Sequence, residues 1–127
     1  MKLNYKMINS GNTRSLGKPL RGTNYEDSGR LYVENFKAAI ESLGKPEFDI
    51  ILIDGRYRIS SALAASEFLK VDGILFVHDF TRREKYKILL EYFDVIFGVD
   101  TLVMLQIKDG MSGKAKLDAK KYYSYFV

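Results

Sequence analysis

The chain has 127 residues, of which 46% are hydrophobic and 28% charged, a composition typical of one folded domain that excludes a disordered or fibrous chain. It has no cysteine, which excludes a disulfide scaffold, a thiolate nucleophile and a cysteine-ligated metal centre. No apolar stretch approaches the ~20 residues that span a bilayer, and no signal-peptide core is present. The sequence therefore predicts a soluble, cytoplasmic protein with a single domain over residues 1–127.

The net charge of +4 is distributed unevenly along the chain. It is +4 over residues 1–30, −3 over 31–107 and +3 over 108–127, so the apolar centre is mildly acidic. Nucleic-acid-binding proteins usually gather their basic residues on one face or one helix, together with a reading motif. The sequence shows neither pattern, so we expect no nucleic-acid partner. Without an apolar span, we expect no membrane partner either.

The first part of the chain predicts a weak strand, a polar loop and a helix. Lys2–Asn9 is the strand, and Gly11–Asn24 is a loop rich in glycine and polar residues. The helix begins at a cap formed by Asp27 or Ser28 and ends at Gly44. Its apolar side chains recur at helical spacing: Tyr32, Phe36, Ala39, Ile40 and Leu43.

Two uninterrupted apolar runs form the centre of the predicted fold. Phe48–Ile53 and Ile74–Val77 do not alternate with polar residues, which is typical of strands buried on both faces. A stretch of helical period follows each run, over Ile59–Leu69 and over Tyr86–Phe93. Strands that alternate with helices in this way form parallel βαβ units.

Turn and cap signals agree with this alternation. Lys70–Gly73 is predicted to be the turn that ends one helix and leads into the second strand. Thr81 and Glu84 have the spacing of a capping box, so a helix should begin there.

The end of the chain departs from the alternating pattern. Val95–Phe97 and Leu102–Ile107 are joined by too few residues for a helical crossover, so we expect an antiparallel hairpin. The tail begins as a Gly/Ser turn after Lys108 and closes with an aromatic cluster in Lys120–Phe126.

The carboxyl ends of the two central strands carry the candidate chemistry. Ligands of an open parallel sheet gather at that edge, which selects Asp54 after the first strand and His78 and Asp79 after the second. The two carboxylates can bind Mg²⁺ or Ca²⁺, or act as acid and base. Alternatively, Asp54 caps the next helix and Asp79 pairs with Arg82 or Arg83.

The single histidine and two arginines complete this set. His78 is either a general base or a structural hydrogen-bonding residue. Arg56 and Arg58 cannot both face the site, because two residues of separation point them in different directions. We expect Arg56 to recognise an anion and Arg58 to lie on a solvated face.

From Tyr5 to Ile107 the chain resembles the C-terminal half of class I S-adenosylmethionine-dependent methyltransferases. The segment FDIILIDGRYRISSAL (Phe48–Leu63) is similar to the family's fourth strand and following helix, and LKVDGILFVHDF (Leu69–Phe80) to its fifth strand. The DGR-aromatic-R and HDF motifs resemble an uncharacterised bacterial subgroup. The resemblance implies a Rossmann-like three-layer α/β sandwich, whose mostly parallel sheet ends in an antiparallel hairpin and which lacks the family's N-terminal βαβ.

The resemblance also implies site roles at the strand ends. It places Asp54 and Gly55 on the cofactor S-adenosylmethionine and makes His78 and Asp79 catalytic. Asp54 and Asp79 also match two metal-ligand positions of the Mg²⁺-dependent members. The expected reaction is methyl transfer to an oxygen or nitrogen of a small-molecule acceptor.

The resemblance extends to the acceptor but not to the main cofactor contacts. Arg56 and Tyr57 are expected to bind the substrate. The family's Gly-rich cofactor loop and the acid that ends its second strand would both precede Lys2, and neither is in this chain. The sequence therefore indicates a fragment or a divergent member of the family.

Other functions and a self-association remain open from the sequence. The chain is alternatively a non-catalytic partner-binding or assembly domain, or a metal-dependent hydrolase that uses the same two acids. Without the family's first strand, Phe48–Ile53 is an exposed sheet edge, which Lys2–Asn9 or a second chain can pair with unless the natural protein is longer. We expect a homo-oligomer, formed through this edge or through the aromatic tail Tyr122–Phe126.

Overall fold

The structure, a computed structural model, describes Gly22 and residues 24–126 and shows a mixed α/β fold. Its sheet contains β1 (Phe48–Ile53), β2 (Leu69–Val77), β3 (Phe93–Val99) and β4 (Leu102–Ile107) in the spatial order β1-β2-β4-β3. β1 and β2 are parallel, and β4 is antiparallel to both β2 and β3. The predicted α/β class, the parallel pair and the closing hairpin are confirmed. The predictions for Lys2–Asn9 and for nearly all of the loop that follows lie outside the described residues.

Seven described helical segments accompany the sheet. The α-helices are α1 (Tyr25–Glu41), α2 (Arg58–Ala65) and α3 (Ser112–Asp118). Shorter or tighter 3₁₀ turns occupy the remaining helical positions: Ser66–Phe68, Phe80–Arg82, Glu84–Glu91 and Ala119–Tyr122. In the part of the chain that the structure describes, no helix is both long and apolar enough to cross a membrane.

The described helices lie on one face of the sheet, with α2 at their centre. α1, α3 and the 3₁₀ helices Glu84–Glu91 and Ala119–Tyr122 all contact α2, which is buried from Ile59 to Ala65. The core forms between this layer and the inward side chains of β2 and β4, among them Leu75, Val77 and Leu105. The described residues therefore form two layers, and the three-layer arrangement is not seen in them.

The opposite face of the sheet is apolar and open. The register aligns Ile50 with Ile74, Leu52 with Phe76, and Phe76 with Met104, so these side chains share one face. Ile50 and Leu52 are each 61% exposed. The prediction that Phe48–Ile53 is buried on both faces is wrong for the described structure, because no described helix packs on the second face.

Two of the turn and cap predictions are also wrong. Lys70–Gly73 is extended backbone at the start of β2, where Leu69 pairs with Phe48 of β1. Thr81 makes no capping bond, since a 3₁₀ turn already occupies Phe80–Arg82 and Arg83 is extended before the next helix.

α1 begins slightly earlier than the sequence indicates. The Asn24 side chain caps it by accepting hydrogen bonds from the backbone N–H groups of Glu26 (2.9 Å) and Asp27 (3.3 Å). The helix ends at Glu41, and Gly44 follows in the turn with a φ of +89°, which suits glycine.

The C-terminal tail folds back onto α1 and contains a helix, α3, that the sequence analysis missed. The Phe126 ring stacks on Tyr25 at 5.5 Å between centroids and meets Tyr57 edge-on at 5.5 Å. The Tyr57 backbone N–H donates to the Phe126 carbonyl at 3.0 Å. The end of the aromatic tail is therefore packed within the chain.

Candidate active site

The parallel pairing of β1 and β2 brings Asp54 and His78 side by side. Ile53 pairs with Val77 at the ends of the strands, so the next residues, Asp54 and His78, leave the sheet at the same edge. The His78 backbone N–H still donates to the Ile53 carbonyl at 3.1 Å, which extends the ladder by one bond. The two strand ends are therefore adjacent, and the candidate residues that follow them lie at one edge of the sheet.

Two left-handed residues shape the turns after the strands. Tyr57, with φ +52°, precedes α2, and Asp79, with φ +57°, precedes the 3₁₀ turn Phe80–Arg82. Aspartate tolerates this conformation better than most residues. The turn is fixed by the Phe80 backbone N–H, which donates to the Thr101 carbonyl of the hairpin at 2.8 Å. The hairpin thus helps to hold the Asp79 carboxylate at the sheet edge.

His78 and Asp54 form a close pair. The distance from His78 Nδ1 to Asp54 Oδ1 is 2.9 Å, whereas Asp79 Oδ2 lies 3.7 Å from the same nitrogen. A proton on Nδ1 that is donated to Asp54 leaves the lone pair of Nε2 available as an acceptor. The His78 side chain is 45% exposed, so an outside molecule can reach the ring. This geometry suits a general base whose orientation is set by a carboxylate.

Arg58 holds both carboxylates in place. Its guanidinium donates to Asp79 Oδ2 at 3.3 Å and to Asp54 Oδ1 at 3.5 Å. It also donates to the backbone carbonyls of Gly55 (2.8 Å), His78 (3.0 Å) and Asp54 (3.3 Å). Only 11% of the side chain is exposed, so the expectation of a solvated Arg58 is wrong.

The position of Arg58 contains the signal that the sequence analysis overlooked. Arg58 is the first residue of α2, and helical side chains lean toward the N-terminus of their helix. That lean carries the guanidinium back over the strand ends, where it meets the two carboxylates. Arg56 lies two residues earlier, outside the helix, and its guanidinium lies over the Phe126 ring.

The electrostatic balance at Asp79 favours the ionised carboxylate. Burial raises the pKa of Asp79. The hydrogen bond from Arg58 and the positive charges of His78, Arg58 and Arg82 lower this pKa, and together they outweigh the effect of burial. The net result is a pKa below the ordinary aspartate value. Asp79 therefore stays negatively charged beside the His78 ring.

Arg56 and Tyr57 both contact the ring of Phe126 in the tail. The Arg56 guanidinium lies 5.0 Å from the centroid of the Phe126 ring. Tyr57 is buried and its ring is 5.7 Å from that of Tyr32. Their expected contact with a substrate stays a prediction, as does the role of Gly55, where a Cβ would collide with the Tyr32 hydroxyl.

The arrangement does not favour a metal ion. No group of three or more His, Asp or Glu residues within the described ranges is placed to hold one. Asp54 and Asp79 already share a cation, the Arg58 guanidinium, which contacts one oxygen of each carboxylate. We therefore derive no chemistry from Mg²⁺ at this site.

A cavity of about 230 Å³ lies beside the pair, between α1, β1 and α2. Its walls are mainly apolar, and Asp54 contributes to one end. Pockets that enclose drug-sized ligands usually measure about 300–1,000 Å³. S-adenosylmethionine, with its adenosine and methionine parts, does not fit this cavity, so the described residues do not supply a complete cofactor site.

Comparison with solved structures shows what the fold is similar to. The chain matches a methyltransferase-like protein from Silicibacter pomeroyi with a TM-score of 0.70 and 20% sequence identity. The match covers 95% of this chain and 62% of that one, so the chain spans less than two thirds of the similar structure. No protein-family model and no curated protein matches the sequence. The chain therefore has a methyltransferase-like fold.

Proposed function

We propose that this chain carries the acceptor-side part of an S-adenosylmethionine-dependent methyltransferase. The similar fold supports the reaction class, and the 2.9 Å contact between His78 Nδ1 and Asp54 Oδ1 carries the proposal for the site. Because the described residues do not fit the whole cofactor, we assign them no cofactor contact. Their proposed task is to position and deprotonate a hydroxyl or amine of a small-molecule acceptor.

The chemistry follows from the pair and its supporting arginine. His78 Nε2 takes the proton from the acceptor oxygen or nitrogen, which leaves the acceptor atom with a free electron pair. The imidazolium that forms is stabilised by the Asp54 carboxylate through Nδ1–H. Arg58 prevents Asp54 from rotating away, since it binds both the Asp54 carboxylate and the Asp54 carbonyl.

The tautomer of His78 tests this arrangement directly. The chain has one histidine, so its ring nitrogens are assigned in ¹⁵N NMR spectra without ambiguity. At a pH where the ring is neutral, we expect the proton on Nδ1, and Asp54→Asn should shift the population toward Nε2–H. The control is Asp49→Asn, which removes a carboxylate of β1 that pairs with Lys70 at 3.2 Å.

Each outcome decides the role of the pair. A dominant Nε2–H tautomer in the parent protein, or a tautomer unchanged by Asp54→Asn, would rule out an Asp54-oriented base. A shift of equal size in Asp49→Asn would show a general charge effect and would contradict the proposal as well.

Calorimetric titration with S-adenosylmethionine tests the reaction class. Binding to the chain supports a methyltransferase, and it should persist in Asp54→Ala, because the proposed role of Asp54 is to orient His78 and not to contact the cofactor. The absence of binding at millimolar cofactor would rule out cofactor binding by this chain alone.

A second candidate function is a partner-binding or assembly domain, which the open sheet face favours. Phe97 is 59% exposed and pairs with Met104 on the face that already bears Ile50 and Leu52. Contiguous apolar surface of this kind often marks an interaction site. We propose self-association through this face and the adjoining edge of β1. Light scattering tests it, since a strictly monomeric 14.6 kDa species at high concentration would contradict it.

A further inference from the structure

The cavity between α1, β1 and α2 has one polar end and one apolar end. The Tyr32 hydroxyl lies against Gly55, and α1 runs away from that point. Phe36 and Ile40 follow one and two helical turns later, so they lie roughly 6 Å and 12 Å further along the cavity. Asp54 therefore marks the polar end, and Ile40 marks the apolar end.

α2 repeats the same order on the other wall. Ser61 stands near the start of the helix, on the side of Asp54, and Ala65 follows one turn later on the side of Ile40. Both walls thus place hydrogen-bonding groups near the strand ends and hydrocarbon further in. A molecule with an apolar body and one polar end matches this order.

Ser61 supplies an unused hydrogen-bonding group on this wall. The residue is 4% exposed, and its hydroxyl has no hydrogen-bond partner among the described residues. The neighbouring Ser60 hydroxyl, by contrast, donates to the Tyr57 carbonyl at 3.1 Å and does not line the cavity. A buried hydroxyl without a hydrogen-bond partner destabilises a protein. A ligand atom in the cavity that bonds to this hydroxyl would recover that free energy on binding.

The cavity volume limits the size of that ligand. A protein cavity of about 150 Å³ lined by apolar side chains accommodates benzene. At about 230 Å³, this cavity has room for one aromatic ring and a few further atoms. The rings of Tyr32 and Phe36 offer it aromatic contacts.

We propose that this cavity binds a small aromatic molecule that carries a hydroxyl group. The ring lies among Phe36, Ile40 and Ala65, and the hydroxyl bonds to Ser61 at the end next to Asp54. His78 does not line this cavity, so we place the molecule beside the His78–Asp54 pair and not on the base itself. Its link to the reaction rests on the proposed function, because Asp54 is the carboxylate that orients His78.

Two probes that differ by one hydroxyl test the site. We expect p-cresol to shift the methyl resonances of Ile40, Ile51 and Ile53 in a saturable manner, with a Kd in the millimolar range expected for so small a ligand. Toluene should shift the same methyl groups but bind about fivefold more weakly, since it cannot bond to Ser61.

Adjacent serine variants separate binding from stability. Ser61→Ala should weaken p-cresol about fivefold, leave toluene unchanged and keep or raise Tm, because an unpartnered hydroxyl is removed. Ser60→Ala should lower Tm, because a buried hydrogen bond is lost, and leave p-cresol affinity unchanged. A purely structural role for Ser61 predicts a lower Tm and no effect specific to the hydroxyl probe.

The remaining outcomes overturn the inference. These are the absence of saturable shifts up to the solubility limit, shifts confined to other surface methyl groups, and equal loss of p-cresol affinity in both serine variants. If p-cresol binds but the His78 tautomer does not respond to Asp54→Asn, the binding site stands and the proposed function is rejected. If the tautomer responds but p-cresol does not bind, only the binding site is rejected.

Discussion

Gly29 of α1 gives the sharpest test of how the tail packs. A Cβ at this position would overlap the carbonyl oxygen of Tyr123, and it would lie 2.8 Å from the Tyr123 carbonyl carbon and 2.9 Å from Tyr57 Cδ1. The nearest obstacle is backbone, which cannot rotate away. Gly29→Ala must therefore push α1 and the tail apart.

The magnitude follows from the contacts that this movement breaks. The Phe126 ring contacts with Tyr25 and Tyr57 join α1 to the tail through the same interface. Overpacking of a close contact typically costs about 1–3 kcal/mol, which outweighs the ~1 kcal/mol that alanine gains over glycine in a helix. We expect a net loss of about 1–2 kcal/mol in the free energy of unfolding.

Urea unfolding followed by far-UV circular dichroism measures this loss. The matched control is Gly113→Ala in α3, where a Cβ meets nothing within 4 Å and the backbone is already helical. That variant should gain about 0.5 kcal/mol. Phe126→Ala should also cost less in the Gly29→Ala background than in the parent, because the two changes disrupt one interface.

Two results would refute the reasoning. If Gly29→Ala matched or exceeded the stability of the parent, α1 and Tyr123 could not be in close contact. If Gly113→Ala lost as much as Gly29→Ala, the loss would reflect the substitution and not the contact.

A buried hydrogen bond between Tyr92 and Asp118 supports two further predictions. Tyr92→Phe removes a bond of 2.7 Å to a carboxylate that also pairs with Lys121 and Lys114, and it should cost about 1–2 kcal/mol in urea unfolding. The bond from Tyr92 and that from Lys121 lower the pKa of Asp118 to about 2 against the effect of burial. This stabilisation is complete above the ordinary aspartate pKa of 3.8 and is lost as pH falls toward 2, so urea midpoints should drop across that window. The drop should be smaller in Tyr92→Phe, and an equal drop would exclude Asp118 as its source.

The sequence predicted the sheet better than the helices. β1 and β4 have the predicted bounds, because an apolar run that pairs with neighbours has few alternatives. The helix expected at Thr81 begins later, since Asp79 adopts a left-handed conformation that the capping spacing does not reveal. α3 was missed because Gly113 and two lysines interrupt the apolar pattern of a short helix whose buried residues are Ala115 and Asp118.

The site was predictable in position but not in its internal partners. Topology alone placed Asp54 and His78 at one edge of the sheet, because the ends of adjacent parallel strands coincide. The choice between Arg56 and Arg58 depended on the residue at which α2 begins, and helix ends are the least certain part of a sequence reading. A difference of two residues at this boundary changed which arginine meets the carboxylates.

Arg58 determines whether the carboxylates of Asp54 and Asp79 support His78 as a general base or bind a metal ion. Two aspartates at adjacent strand ends repel each other, and a cation between them relieves the repulsion. Arg58 is that cation, so the parent protein should show no change in Tm with about 10 mM MgCl₂. Arg58→Met keeps the aliphatic packing but leaves both carboxylates uncompensated, and we expect a loss of about 1–2 kcal/mol because Asp54 is half exposed.

The loss in Arg58→Met should be partly reversed by MgCl₂, since oxygen ligands freed from the guanidinium attract a divalent ion. Thermal unfolding with and without the salt measures it, and NaCl at equal ionic strength corrects for screening. Arg30→Met removes an exposed arginine that pairs with Asp27 at 2.8 Å on α1, and it should show neither effect. Stabilisation of the parent by MgCl₂ would contradict this view, because it would mean that the ion competes successfully with Arg58 or binds beside it. The two aspartates would then belong to a metal site, and the orientation of His78 would have to be explained through the ion.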